Sequence, residues 1–210
     1  MGDPIIFHHA PMSRSNIVSW MLEELGVPYE VRPLSLDRQD QKKPEYLAVN
    51  PMGKVPAIEH KGVVITEAAA ICAYLADEFP AAKLSPPIGD ARRGLYFKWL
   101  FFGPSCLEQA IIDRMHNRPT VAPRASSYGE YDIVMDTIAQ AVATGPFLVG
   151  NQFTAADMVL GSGIQWGTFM KALPARPEFT AYLGRLQQRP ALQRTFAKNQ
   201  ELYAKPHPAA

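Results

Sequence analysis

Three kinds of side chain in this 210-residue sequence are of a type that can do chemistry, and their spacing decides which of them do: paired hydroxyls, thiols and tandem imidazoles. Ser13 and Ser15, in Ser13-Arg14-Ser15, close a loop just ahead of an apolar-periodic stretch. A hydroxyl in that place caps the helix that follows or donates to a charged partner. Cys72 and Cys106 stand far apart, without CxxC or metal-like spacing, in apolar helical segments, which is the setting of inert core thiols. His8 and His9 end a short apolar run with no third ligand of suitable spacing nearby, so no metal site is expected. Thr154 and Asp157 place a hydroxyl and a carboxylate three residues apart before an apolar run, the spacing of a capping box, and read as structural. The segment NPMGKVPAIE, Asn50 to Glu59, raises a different question, because Pro56 stands where a strand begins and proline cannot donate to a sheet ladder.

The elements that must position these groups follow from periodicity. Pro4 to Phe7 reads as a strand; Ile17, Val18, Met21, Leu22 and Leu25 recur at helical spacing with Gly26 at the C-terminal cap. Tyr29 to Leu34 is a second strand, with at most a short helix near Pro44 to Val49. Val55 to Glu59 and Val63 to Ile65 are two strands joined by the tight turn His60-Lys61-Gly62, and a helix runs from Glu67. Strand, helix, strand, then strand, strand, helix is the thioredoxin-like arrangement, a mixed α/β sheet with helices on both faces. A proline- and small-residue-rich linker over 80–90 follows. Beyond it every strong signal is helical, over 91–117, 125–144, 154–172, 177–188 and 191–203, and KPHPAA at the end reads as a tail. The predicted class is an α/β thioredoxin-like N-terminal domain (1–79) plus an all-α helical domain (91–210).

Composition excludes several function classes. The 21 basic and 20 acidic residues are interspersed and sum to +1, which gives no footprint for nucleic acid or a membrane surface. No stretch reaches the roughly 18 apolar residues of a spanning helix, and the start lacks a basic n-region, so the chain reads as cytoplasmic.

Four motifs together carry a family resemblance: SRS at Ser13 to Ser15, PEYLAVNPMGKVPAIE at Pro44 to Glu59, ITEAAAICAYLAD at Ile65 to Asp77, and FLVGNQFTAADMVL at Phe147 to Leu160. The sequence resembles a glutathione S-transferase of the soluble bacterial and fungal type. The resemblance implies a cis Pro56, with Val55 pairing its backbone with the cysteinyl part of glutathione. It places Lys54, and Lys42 or Lys43, at the glycyl carboxylate, and Glu67 at the γ-glutamyl ammonium. The next position departs from the family, which commonly has Ser or Thr: here it is Ala68, leaving only its backbone N–H at the first turn of a helix. Phe102, Trp166 and Phe169 are the expected lining of an apolar pocket for a small hydrophobic electrophile. A homodimer is implied, with glutathione as co-substrate and no cofactor.

The chemistry implied is thiolate chemistry. A free thiol titrates near 8.5, and lowering it by two units needs about 2.7 kcal/mol. A helix N-terminus supplies about 0.3–1 kcal/mol and a hydrogen bond to a charged group about 1.5–3, so a hydroxyl donor at the start of the first helix is the expected device. No tyrosine precedes Tyr29 and no cysteine precedes Cys72, which leaves Ser13 and Ser15 as the local hydroxyls. Counting back from Gly26 along the helix, Ser13 falls where serine-type relatives carry the activating hydroxyl, so the resemblance favours Ser13, with Ser15 as a plain N-cap bonded to Ile17 or Val18; Ser15 or a backbone amide alone remain as alternatives. The expected function is conjugation of glutathione to small electrophiles, or glutathione-dependent peroxide reduction; the alternative is a catalytically weak glutathione-binding module.

Overall fold

The structure, a computed structural model, describes residues 4–118 and 121–204; the KPHPAA tail lies outside the described residues. Contacts divide the chain into two compact units, one running to Ala82 and resuming at Arg189, the other Lys83–Gln188. The first unit holds β1 (Ile5–His9), α1 (Ser15–Leu25), β2 (Tyr29–Pro33), α2 (Pro44–Leu47), β3 (Ala57–His60), β4 (Val63–Thr66) and α3 (Ala68–Glu78). Its sheet has the order β2-β1-β3-β4, with β1 parallel to β2 and both other pairs antiparallel. This is the predicted βαβ-ββα order.

Local chemistry accounts for the elements. Ile5, Phe7 and His9 alternate along β1 and are buried on one face of the sheet. Val18, Met21 and Leu22 form the fully buried stripe of α1, and Gly26 ends the helix at φ 65°, its N–H donating to Leu22 O at 3.1 Å. β3 begins at Ala57, just after Pro56, so the missing proline N–H falls outside the ladder. Lys61 and Gly62 both have positive φ, as a two-residue hairpin turn between right-twisted strands requires.

The second unit contains α4 (Arg92–Phe102), α5 (Glu108–Met115), α6 (Tyr131–Ala143), α7 (Ala155–Phe169) and α8 (Pro177–Gln187). The single helix expected over 91–117 is interrupted by a π-turn at Gly103–Leu107. Pro104 cannot close the i→i−4 bond there, and the wider turn absorbs it. Tyr96, Leu100, Leu107, Ile138, Met158, Leu160, Ile164 and Tyr182 make the core. α7 approaches its neighbour closely: a Cβ at Gly161 would collide with Leu186 Cδ1.

One element departs from the predicted division, which assigns 91–210 to a single helical domain. α9 (Pro190–Ala204) packs on α1 in the first unit. Arg189 Nε and Nη2 donate to the two oxygens of Glu24 at 2.6 and 2.7 Å, Arg194 Nε donates to Glu23 at 3.0 Å, and Lys198 also pairs with Glu23. Glu23 is only 7% exposed. Burial pushes its carboxyl up, but hydrogen bonds from Lys198, Tyr29 and Arg194 outweigh it and hold the group below its ordinary value.

The capping box at Thr154 and Asp157 forms. Asp157 is buried and accepts from Thr154 N at 2.9 Å, Thr154 Oγ1 at 3.1 Å, Leu148 N at 2.8 Å and Tyr182 OH at 2.9 Å. It therefore fastens the start of α7 to the preceding loop and to α8. Replacing Thr154 with Ala is expected to lower stability by about 0.5–2 kcal/mol. Asp157→Ala strands several buried donors at once and is expected to cost about 3 kcal/mol or more. Urea unfolding at neutral pH, monitored by tryptophan fluorescence, measures both; equal losses for the two variants would contradict the bonding pattern.

Candidate active site

The Val55–Pro56 peptide bond is cis. The loop leading to it is built from its own sequence: Asn50 Nδ2 and Tyr46 OH both donate to Lys54 O, at 2.8 and 2.6 Å, and Asn50 Oδ1 accepts from Met52 N at 3.1 Å. Gly53 is required at φ 58°, where a Cβ would lie 2.7 Å from Gln41 O and 2.8 Å from Lys42 Nζ. Among the described residues the N–H and C=O of Val55 meet no backbone partner.

Two lysines flank this loop. Lys42 Nζ donates to Met52 O at 3.2 Å, which holds its ammonium at the loop that carries the exposed Lys54. Lys43 is committed elsewhere, 2.7 Å from Asp40 Oδ1. Across the sheet, Glu67 precedes α3 at φ 67°, an uncommon conformation for a residue with a Cβ. Its side chain is exposed, and α3 has no side-chain cap. No side chain therefore caps the first-turn N–H groups of Ala68 and its successors, the condition under which a helix start takes an anion.

The serine pair differs from expectation. Ser15 is not the N-cap bonded to Ile17 or Val18; Arg14 occupies the cap position and Ser15 is the first helical residue, fully buried. The first free N–H groups of α1 are taken by backbone, Asn16 N by Ser13 O and Ile17 N by Arg14 O, both at 3.1 Å. Ser15 Oγ is released to turn back onto β1. It accepts from Ala10 N at 3.1 Å, sits 2.7 Å from Ala10 O, and pairs with His9 Nδ1 at 2.8 Å. Ser13 is half-buried: its hydroxyl donates to Ala10 O at 2.7 Å, accepts from Ser15 N at 3.1 Å and lies 2.8 Å from Ser15 Oγ. Ser15 is a structural strut, and Ser13 is the hydroxyl at the surface of the network.

The other candidates are placed as follows. His8 Nε2 bonds Glu59 Oε1 at 2.7 Å, while His9, buried, bonds Ser15 and, through Nε2, Asn199 Oδ1 at 2.7 Å. Cys72 is fully buried and burial pushes its thiol up to about 12. Cys106 is half-buried in the π-turn rather than in a core, its Sγ 3.9 Å from Ser127 O. In the second unit Phe102 is half-buried, its ring 5.3 Å from buried Trp99; Trp166 is half-buried and Phe169, at 76%, stands exposed at the end of α7. His9 and Asn199 were missed by sequence reading. The parity of β1 was the available signal for His9, since it shares the face of Ile5 and Phe7; Asn199 lies 190 positions away and carried none.

Burial pushes the His9 imidazole down to about 4, against the opposing bond to Asn199. Its unfolded value is near 6.5, so between about pH 4 and 6.5 the unfolded chain holds a proton here that the native protein does not. Stability should therefore fall as pH drops through that window, by up to about 1.4 kcal/mol per pH unit for this one group. In His9→Phe, urea unfolding between pH 4.5 and 7 is expected to show a slope shallower by up to one proton; an unchanged slope would place the group elsewhere.

Along most of its length the chain is similar to known proteins. The family model for the glutathione S-transferase N-terminal domain matches residues 4–77. A glutathione S-transferase of Schizosaccharomyces pombe is 31% identical over 196 residues, covering 88% of this chain and 84% of the relative. Among solved structures, a glutathione transferase from Methylococcus capsulatus superposes with a TM-score of 0.79 at 29% identity, covering 94% of this chain and 99% of that one. A glutathione transferase family member from Pseudomonas fluorescens, solved with two glutathione bound, gives 0.77 at 26% identity, with 91% of each chain covered.

Proposed function

Because the chain belongs to the glutathione S-transferase family and is a glutathione transferase, we propose that it conjugates the glutathione thiolate to small hydrophobic electrophiles with Ser13 as the thiolate donor. The observation that carries this reading is the division of labour between the two serines. Ser15 is buried and engaged with His9 and Ala10, whereas the half-buried Ser13 hydroxyl stands at the loop before α1.

Glutathione then lies at the end of the sheet where β3 begins. Val55 exchanges backbone bonds with the cysteinyl residue beside Pro56, Lys42 and Lys54 meet the glycyl carboxylate, and Glu67 meets the ammonium of the γ-glutamyl residue. The α-carboxylate of that residue takes the N–H groups at the start of α3, where the backbone of Ala68 serves without the hydroxyl common in relatives. The sulfur comes to Ser13. Its hydroxyl donates to the thiolate, and a charged hydrogen bond of about 1.5–3 kcal/mol, with a smaller helix-dipole contribution, is enough for a shift of one to two pKa units. The thiolate attacks the electrophilic carbon, a C–S bond forms, and the leaving group departs with the bonding pair or the displaced oxygen takes a proton from water. Phe102, Trp166 and Phe169 belong to the apolar side of this reaction. Glutathione is a co-substrate and no cofactor is called for. The working form is a homodimer in the cytoplasm; no helix among the described residues is long and apolar enough to cross a membrane.

Glutathione-affinity chromatography followed by turnover of aryl halides, epoxides, isothiocyanates and peroxides tests the reading as a whole. Binding with conjugation is expected; retention without turnover of any electrophile would favour a binding module, the direction in which Ala68 leans. Titrating the thiolate absorbance of bound glutathione in Ser13→Ala is expected to show the thiol pKa about one to two units higher with affinity little changed. Glu67→Gln should instead weaken glutathione binding about 10- to 100-fold and leave that pKa in place.

A further inference from the structure

His9 ends β1 with its ring buried and stacked on Phe7, 4.8 Å between centroids, and both ring nitrogens are engaged. Nε2 lies 2.7 Å from Asn199 Oδ1 and Nδ1 lies 2.8 Å from Ser15 Oγ. The Asn199 amide is oriented by its second bond, since Nδ2 donates to Thr195 O at 2.8 Å and Oδ1 is left to accept. The hydrogen of a neutral His9 is therefore on Nε2, and Nδ1 presents a lone pair. Burial keeps the ring neutral above about pH 4. The hydrogen that can meet Nδ1 is the hydroxyl proton of Ser15. Once committed there, Ser15 has none for Ala10 O, which lies 2.7 Å from its Oγ, and Ser13, 2.7 Å from the same carbonyl, is the remaining donor to it.

We infer that Asn199 and His9 set the direction of the serine hydroxyl chain: by drawing the Ser15 proton inward they oblige Ser13 to divide its own proton between the inward acceptors, Ala10 O and Ser15 Oγ, and the sulfur of bound glutathione. This rests on the reading of Ser13 as thiolate donor. His9 and Asn199 do not touch the sulfur; they are positioning residues, and Asn199 reaches the site from the last helix. The consequence is a bound thiol less acidic than an undivided Ser13 would make it. That has chemical sense, because a thiolate loses intrinsic nucleophilicity as its pKa falls and attacks best when its pKa is near ambient pH.

Asn199→Leu removes the acceptor that fixes the tautomer. His9 then places its hydrogen on Nδ1 and donates to Ser15, whose proton turns to Ala10 O or to Ser13. Either way the Ser13 proton is freed or polarised toward the sulfur. The bound-thiol pKa is expected to fall by about 0.5–1 unit, the range of one net hydrogen bond. His9→Phe keeps the ring, removes both nitrogens, and should lower it likewise. In a Ser13→Ala background neither change should move the pKa. Long-range proton–nitrogen correlation spectra of the wild-type protein at pH 7 should show His9 protonated on Nε2, and those of Asn199→Leu on Nδ1. A pKa that stays or rises in both variants, while Ser13→Ala still raises it, overturns this inference and leaves the proposed function standing. No effect of Ser13→Ala overturns the proposed function and this inference with it. A wild-type His9 carrying its hydrogen on Nδ1 refutes the chain direction by itself, whether or not either variant folds.

Discussion

A carboxylate buried on a helix needs cations or hydrogen-bond donors to offset the loss of water, and Glu23 on α1 finds its cations on α9. Much of the first unit is arranged around that demand. Arg194 and Lys198, four residues apart, fall on one side of α9 and both reach Glu23, while Tyr29 at the start of β2 donates from below at 2.8 Å. Arg189 makes a two-point contact with the neighbouring Glu24, the planar fork-to-carboxylate geometry that fixes orientation as well as distance. With α9 held in that register, Asn199 is delivered to the end of β1, where it meets His9. Packing electrostatics thereby determine which proton a buried imidazole carries.

The side proposed to bind glutathione is assembled on a different plan, from short devices that need little tertiary support. Asn50 closes the loop before Pro56 with both ends of its amide, Gly53 lets Lys42 and the 41–42 backbone approach, and the hairpin at Lys61 and Gly62 returns the chain to α3. Such loops are legible because their residues and their partners are close in sequence. The βαβ-ββα order, the C-terminal glycine of α1 and the capping box at Thr154 and Asp157 could all be read from spacing, whereas the strand expected from Val55 begins at Ala57, beyond Pro56.

What the letters did not show has a common physical cause. An amphipathic helix presents the same periodicity whichever surface it covers, so α9 reads as one more member of a helical bundle until the partners of Arg189, Arg194 and Lys198 are known. Ser15 reads as a cap because it stands at a helix start; its hydroxyl was drawn away by His9 and Ala10, and backbone bonds of the 3₁₀ type took over the first turn. The π-turn at Gly103 was hidden because a single proline in a strongly helical context can bend, widen or end a helix, and the choice depends on what packs behind it. Cys106 was misjudged as a core residue for the same reason: the widened turn leaves its side chain half in solvent.

Because α9 completes the first unit, that unit is discontinuous along the chain, with the 106 residues of Lys83–Gln188 inserted between its two parts. Synthesis runs from the N-terminus, so α1 leaves the ribosome long before the helix that neutralises it. For that interval Glu23 and Glu24 have no arginine or lysine from α9, and the natural resting place for them is water, with α1 loosely attached to its sheet. The inserted unit, contiguous in sequence, can consolidate first. A nascent chain arrested before residue 189 would carry the whole sheet and the packing of α1 on α3, yet lack the ionic contacts that α9 brings to Glu23 and Glu24.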